Sequence, residues 1–312
     1  MCTCIAMRKG NFLFGRNMDI ERSFGEMVVA VPRAFRMPYK LVRGSERRYA
    51  MMGMATVQEG VPLFAEAFNE RGLCIASLRF EGNAHYFPMQ RDGVYNLAPY
   101  EVIPFLLERC ETVLQAVCLL RQTRIVALPF SPSLPLAPLH FILADAQNTF
   151  VAEPRSDGLH LYENRAGVLT NNPPFPYQMQ RLSDYMHLSV RQPRNTFSAE
   201  LPLRPYALGM GAMGLPGDAS SCSRFVRAAF LLHNSKKGEG AAHLFHILSS
   251  AAVVRGSVIT ASGEEEYTRY SCVIDPKEGA YFYRTYDDLS VRCVRFSETE
   301  PEGTQLKEYL LG

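Results

Sequence analysis

Cys2 is the residue whose type and position promise most chemistry. Removal of Met1, which a small second side chain permits, would leave Cys2 carrying a thiol and a free α-amine. An α-amine titrates near pH ~7.7–8 and a free thiol near ~8.5, so one residue would hold a base beside a nucleophile and no separate histidine would be required. Taken alone, a cysteine at a strand start is more often simple apolar filling. The segment Phe14-Gly15-Arg16-Asn17-Met18-Asp19 shifts that balance, because it returns on the hairpin partner of the first strand. A cation favours a thiolate, and a carboxylate holds an ammonium or orients an amine; Arg16 and Asp19 supply these two types. Strict alternation sets positions 16 and 19 on opposite faces of a strand, so a shared site is expected to need a bend or bulge, with Gly15 the candidate.

Other motifs carry less. Gly209-Met210-Gly211-Ala212-Met213-Gly214 is a literal G-x-G-x-x-G. A dinucleotide site needs a helix to begin inside it, and Pro216-Gly217 follows too soon, so a Gly-rich loop is the better reading. The seven histidines include no H-x-x-x-H pair; His243 and His246 stand three apart on an expected helix, without a carboxylate motif to make a metal site. The eight cysteines lack C-x-x-C spacing. No cofactor and no metal are expected.

The elements that must position Cys2 begin with the chain itself. Cys2–Met7 and Asn11–Phe14 read as a hairpin, and Met27–Val31, Tyr49–Val57, Leu63–Phe68 and Leu73–Phe80 continue an antiparallel pattern through the N-terminal third. Pro99 suits a first helical position, and Thr112-Val113-Leu114-Gln115 resembles a capping box opening a second helix. Ile125–Ala144 carries no Lys, Arg, Asp or Glu and has a membrane helix's length, but Pro129, Pro132, Pro135 and Pro138 would break a helix repeatedly. It reads as an extended apolar loop entering a strand at Leu139–Leu143, with Phe130, Leu134 and Leu136 covering core or lining a pocket. Strands run on to Thr170; Pro176–Met186, Ser223–Leu232 and Glu239–Ser250 have helical periodicity, and Tyr267–Phe296 reads as a meander turning at Asp275-Pro276 and Asp287-Asp288.

Of 312 residues, 47% are hydrophobic and 21% charged, which leaves ample apolar material for a core, and no repeat or linker divides the chain. One α+β domain over 1–312 is expected. A net charge of +2 without single-sign blocks argues against nucleic acid or anionic membrane and for a small-molecule partner. The first residues lack a basic stretch followed by an apolar one, so the chain reads as cytoplasmic with free thiols.

Met1-Cys2-Thr3 followed by Phe14-Gly15-Arg16-Asn17-Met18-Asp19 resembles the choloylglycine hydrolase family, which holds conjugated bile salt hydrolases and penicillin V acylases and belongs to the N-terminal-nucleophile hydrolases. Asn69-Glu70-Arg71-Gly72-Leu73, Val168-Leu169-Thr170-Asn171-Asn172-Pro173, Gly214-Leu215-Pro216-Gly217-Asp218, Ser223-Arg224-Phe225-Val226-Arg227 and Thr285-Tyr286-Asp287-Asp288 resemble it in the same order, nearly to the end of the chain. The resemblance implies a four-layer αββα sandwich with the mature chain starting at Cys2, the nucleophile. It implies that Arg16, Asp19 and Arg224 serve that nucleophile, that Asn171 binds the oxyanion, and that the assembly is a homotetramer. In Leu78-Arg79-Phe80 the bile salt hydrolases commonly carry Asn and the penicillin acylases Tyr, so Arg79 departs from the pattern. A guanidinium there could serve the oxyanion or an anionic leaving group. The implied reaction is hydrolysis of the amide of glycine- or taurine-conjugated bile salts, with Met18, Phe24, Phe64, Phe130, Leu134 and Leu136 as candidates for an apolar pocket. Alternatives are a penicillin V or N-acyl homoserine lactone acylase using the same site, or a catalytically silent ligand-binding relative.

Overall fold

The computed structural model describes residues 1–45, 48–236 and 240–311. Its first sheet grows around the opening hairpin, β1 (Cys2–Met7) and β2 (Leu13–Ile20), in which Cys2 faces Met18 and Cys4 faces Arg16. β12 (Val168–Leu169) pairs with the free side of β1, and β13 (Tyr267–Asp275) with that of β2, followed by β14 (Ala280–Thr285) and β15 (Arg292–Arg295). The second sheet has the order β11 (Gly158–Glu163), β10 (Thr149–Arg155), β9 (Leu139–Ala144), β6 (Cys74–Arg79), β5 (Val61–Asn69), β4 (Met51–Gln58), β3 (Met27–Val31) and β16 (Lys307–Leu310). A separate parallel pair joins β7 (Tyr95–Leu97) to β8 (Thr123–Ile125).

Each face of the second sheet has its own partner, as period-two alternation requires. Val28, Ala30, Met52, Met54, Phe68, Ala76 and Ile142 meet the first sheet. Val29, Val31, Met51, Ile75, Phe141 and Leu143 meet α1 (Val102–Leu107) and α2 (Val113–Leu120) instead. α4 (Ser221–Asn234) and α5 (Ala241–Ser249) cover the outer face of the first sheet, and α3 (Phe175–Arg181) packs beside α4. The result is the expected four-layer αββα sandwich. Thr112 caps α2 by accepting from the Gln115 N–H, while the Gln115 side chain reaches back to the Glu111 N–H, one residue earlier than the expected capping box.

The proline-rich segment is a loop that enters β9 where expected, and among the described residues no helix is long and apolar enough to cross a membrane. The segment 209–214 is a loop around a single 3-10 turn, and the next α-helix starts at Ser221. Glu239, the expected start of α5, lies outside the described residues.

Two expectations need correction. The N-terminal third does not form one sheet: β1 and β2 are flanked by strands from distant parts of the chain, so no edge is left for β3 and the chain crosses to the second sheet after Ile20. Gly15 is not a bulge either. A Cβ there would lie 2.9 Å from Leu244 Cδ2 and 3.0 Å from Leu248 Cδ1, so glycine lets α5 lie close on β2. The irregularity sits across the ladder, between Thr268 and Tyr270 of β13.

A second irregularity, between Met54 and Ala55, leaves Ala65 of β5 without an opposite residue. On the same pair of strands, a Cβ on Gly53 would lie 2.5 Å from Ala67 Cα and inside contact distance of the Glu66 carbonyl oxygen. Gly53→Ala should therefore force β4 away from the strand bearing Glu66, at a cost on the order of 1–3 kcal/mol. Thermal unfolding followed by circular dichroism should show a melting temperature lower by several degrees; an unchanged value would mean that the two strands yield freely at this point.

Candidate active site

Cys2 is the first residue of β1, and that position resolves the problem of opposite faces. Arg16 and Asp19 do point to opposite sides of β2, but both sides are open to a residue at a strand end. No bend is required. On the side facing the second sheet, Arg16 Nη2 donates to Cys2 Sγ at 3.1 Å, with Met18 Sδ 3.7 Å from the same sulfur. On the helix side, Arg224 Nη1 donates to the Cys2 carbonyl at 2.5 Å and to Thr3 Oγ1 at 2.7 Å, while Asp19 Oδ2 lies 3.8 Å from that nitrogen. Arg224 thus meets Cys2 through its backbone, and Arg16 is the arginine that reaches the sulfur.

Asn171 joins the two sides from the turn after β12. Its Oδ1 accepts the Cys2 N–H at 2.8 Å and Arg224 Nη2 at 2.7 Å, and its Nδ2 donates to the Arg79 carbonyl at 2.8 Å. An amide nitrogen has two hydrogens, so one remains for another acceptor. The helix side is fixed by capping chemistry at α4: the Ser220 side chain first, then the Ser223 hydroxyl and the Ser220 N–H, serve the Asp218 carboxyl and hold it down at about 2. Ser221 Oγ accepts the Asn171 N–H at 2.9 Å, tying the turn to the same helix start.

Met1 occupies part of this space. Its amine donates to the Asp19 carbonyl at 2.7 Å and pairs with Glu266, and its own carbonyl accepts the Asp19 N–H at 3.0 Å. Burial lowers the pKa of this amine below that of an ordinary terminus. Asp19 Oδ1 accepts from Thr268 Oγ1 at 2.5 Å, whereas Oδ2 is buried with no hydrogen-bond partner.

Glu66 is the member of the site that sequence reading missed. Fully buried on β5, it takes Arg16 Nη1 at 2.8 Å, the Tyr281 hydroxyl at 2.5 Å and the Tyr270 hydroxyl at 2.9 Å, and the Cys272 thiol points to it at 3.4 Å. The unpaired Ala65 turns its carbonyl to the same Arg16 nitrogen at 2.7 Å. Burial alone would pull Arg16 towards neutrality, but Cys2, Tyr270 and Glu66 outweigh it and raise its pKa well above the usual range. Burial pushes Cys4 and Cys272 far up, so both stay thiols, whereas Cys2 Sγ faces a guanidinium donor. A carboxylate inside the otherwise apolar Phe64-Ala65-Glu66-Ala67-Phe68 was the available signal, because a buried charge demands a partner.

The expected pocket residues are divided. Met18 lies at the sulfur, and Phe24 packs at the edge of the same core on the connection after β2. Phe64 faces the opposite layer, against α1 and α2, because the Ala65 irregularity puts it on the other face from Glu66. Phe130 turns to Tyr100 and Lys40, while Leu134 and Leu136 lie on the loop whose end, Pro138, accepts the Phe80 N–H. The Arg79 side chain, 49% exposed, pairs with Glu21 at 2.9 Å and Glu81 at 3.8 Å. His243 meets Ser235, and the described residues hold no cluster of His, Cys, Asp or Glu able to grip a metal ion. A cleft of about 440 Å3 bounded by Asn11, Gly72, Ala146 and Pro276 opens at the far end of the hairpins and includes none of these residues.

A cysteine at the start of the first strand, between two facing sheets flanked by helices, is the arrangement of an N-terminal-nucleophile hydrolase. The family described as linear amide C-N hydrolases, choloylglycine hydrolase family, matches residues 2–309, and the chain belongs to it. The bile salt hydrolase/transferase of Lactiplantibacillus plantarum is 41% identical over 100% of this chain and 97% of its own. The conjugated bile acid hydrolase of Lactobacillus acidophilus is 32% identical over 99% and 100%. A crystal structure of a variant conjugated bile acid hydrolase from Clostridium perfringens superposes with a TM-score of 0.93, at 31% identity over 100% of this chain and 97% of the other. Penicillin V acylase from Agrobacterium tumefaciens, at 21% identity and a TM-score of 0.76 over 100% and 92%, shares the fold.

Removing the Glu66 charge should leave Arg16 buried without its counter-ion. In urea unfolding, Glu66→Gln alone is expected to lose about 3–5 kcal/mol, and combination with Arg16→Met should recover much of the loss. Simple additivity of the two changes would contradict the coupling.

Proposed function

We propose that this chain, as one domain beginning at Cys2 once Met1 is removed, hydrolyses the amide of glycine- or taurine-conjugated bile salts. The observation that carries the reading is Cys2 Sγ held 3.1 Å from a buried guanidinium, with the same residue's nitrogen on Asn171, in a member of an amide hydrolase family. Loss of Met1 would free the α-amine beside Asp19 Oδ2, a buried acceptor that has no hydrogen-bond partner while Met1 is in place. The amine takes the thiol proton and the sulfur attacks the carbonyl, with Arg16 beside the developing anionic sulfur. The second hydrogen of Asn171 Nδ2 stabilises the oxyanion, a contribution of about 3 kcal/mol where comparable donors have been removed. The protonated amine then passes its proton to the departing glycine or taurine nitrogen as the C–N bond breaks. Water, deprotonated by the same amine, cleaves the thioester and releases the acid.

The relatives named for bile salts and conjugated bile acids support the substrate class. Met18, Phe24, Leu134 and Leu136 remain the candidates for the sterol side, and Arg79, half exposed and paired with Glu21 and Glu81, for the anionic end of the leaving group. We place the enzyme in the cytoplasm as a homotetramer. The segment 186–213, which leaves Met186, Val190, Phe197, Leu203, Tyr206 and Leu208 exposed, supports assembly between copies.

Two sets of measurements test this. Cys2→Ala should retain the parental melting temperature and lose hydrolysis of glycocholate, taurocholate and penicillin V alike; near-parental turnover by that variant removes the nucleophile. Arg79→Ala should lower kcat/KM on both conjugates at least about tenfold relative to a neutral cholyl amide, as loss of a charge-assisted contact would. Equal losses on all amides would instead put Arg79 at the oxyanion.

A further inference from the structure

A second buried ionisable pair, His140 on β9 and Glu153 on β10, lies outside the mechanism above. Both side chains are fully buried. The His140 ring stacks on Phe80, the residue after Arg79, with centroids 4.3 Å apart and planes within 6°. Its Nε2 lies 3.0 Å from the Thr170 carbonyl. A carbonyl only accepts, so Nε2 carries a hydrogen and the ring orientation is fixed. Nδ1 then points at Glu153 Oε1, 3.6 Å away, and has no hydrogen-bond partner. Glu153 Oε1 accepts the Phe175 N–H at 2.7 Å, while Oε2 is buried without a donor.

Packed against each other with no other polar side-chain partner among the described residues, the two groups form one buried unit. That unit grips a single short turn at both ends: Thr170 through His140 and Phe175 through Glu153. Asn171 lies inside the turn. Ser221 secures it from the α4 side through the Asn171 N–H and Thr170 Oγ1.

We propose that the His140–Glu153 pair is a positioning device that aims the Asn171 amide at the reacting carbonyl. The proposal rests on the reading of Asn171 as the oxyanion donor. Replacing the pair by apolar residues would leave the Thr170 carbonyl and the Phe175 N–H to find other partners, and the turn would lose its fixed attitude to Cys2. A displacement of about an ångström in such a donor is enough to cost on the order of a hundredfold in rate.

The test uses two amides of similar folding cost. In His140→Gln the amide nitrogen falls near the Nε2 position and can still donate to Thr170; in His140→Asn it falls near Nδ1 and cannot. On glycocholate, His140→Asn should lower kcat at least about tenfold with KM nearly unchanged, as expected for an interaction made in the transition state. His140→Gln should remain near the parent, as should Glu153→Gln, whose amide oxygen can still accept the Phe175 N–H. Hydrogen exchange of the peptide covering residues 168–178 should quicken in His140→Asn and keep the parental rate in the two glutamine variants. Equal kcat in the Asn and Gln variants, or faster exchange with undiminished kcat, would overturn the proposal. A parent whose glycocholate turnover does not depend on Cys2 would instead defeat the reading of the site, and the exchange comparison would still decide whether the pair holds the turn.

Discussion

A guanidinium sealed between two β-sheets is the constraint around which this molecule is organised. Arg16 has no route to water, and taking such a charge out of water costs several kcal/mol unless good partners replace the solvent. The partners come from the facing sheet and from the far end of the chain: Glu66 and the Ala65 carbonyl on one side, Tyr270 and Tyr281 bracing Glu66 from the other. Each of these must be in register for the charge to be tolerated. The β5 irregularity that turns the Ala65 carbonyl inward is therefore part of the site, as is the close approach of β4 at Gly53. What the arrangement yields is a fixed positive charge whose Nη2 is turned to the sulfurs of Cys2 and Met18.

The strand end is the second half of the design. An interior residue of β1 would expose its side chain to one face of the sheet and its backbone to its neighbours. Cys2 offers its thiol to the inter-sheet layer and its nitrogen and carbonyl to Asn171 and Arg224 on the helix side. Two arginines can thus attend one residue without meeting each other. The proposed division of labour follows from this separation: Arg16 acts on the sulfur, whereas Arg224, Asp19 and Asn171 hold the backbone and await the amine. Hydrogen bonds to the Cys2 carbonyl, Thr3 Oγ1 and Asn171 Oδ1 hold this second charge in place, and burial lowers its pKa although Asp19, 3.8 Å away, opposes the shift.

Much of this was legible in the residues, for identifiable reasons. Strands such as Met27–Val31 and the entry into β9 were visible because β-branched and apolar runs end at turn residues, and the prolines from 129 to 138 excluded a helix. Cys2, Arg16 and Asp19 could be linked because a hairpin makes them neighbours through local sequence alone. The partition into two sheets was not legible. It depends on β12 and β13, more than a hundred residues away, taking both edges of the first hairpin. Glu66 escaped for a related reason, since a lone carboxylate in an apolar strand shows that a partner exists without showing which residue it is. Strict alternation would set Phe64 on the same face as Glu66, and the Ala65 irregularity, which no residue type announces, turns it to the other layer. The resemblance to a family supplied Asn171 and Arg224, which no periodicity or spacing marks as neighbours of Cys2.

The central claim is that the catalytic base is the α-amine of Cys2 itself, which requires that no residue precede it. Intact-mass spectrometry of the active enzyme, before and during rapid quench with glycocholate, tests this most directly. The account predicts a resting chain lighter than the encoded one by a methionine residue and a quenched species heavier by one cholyl group, with the added mass on the peptide that begins at Cys2. A fully active chain that still carries Met1, or an acyl group found on any other residue, would contradict it.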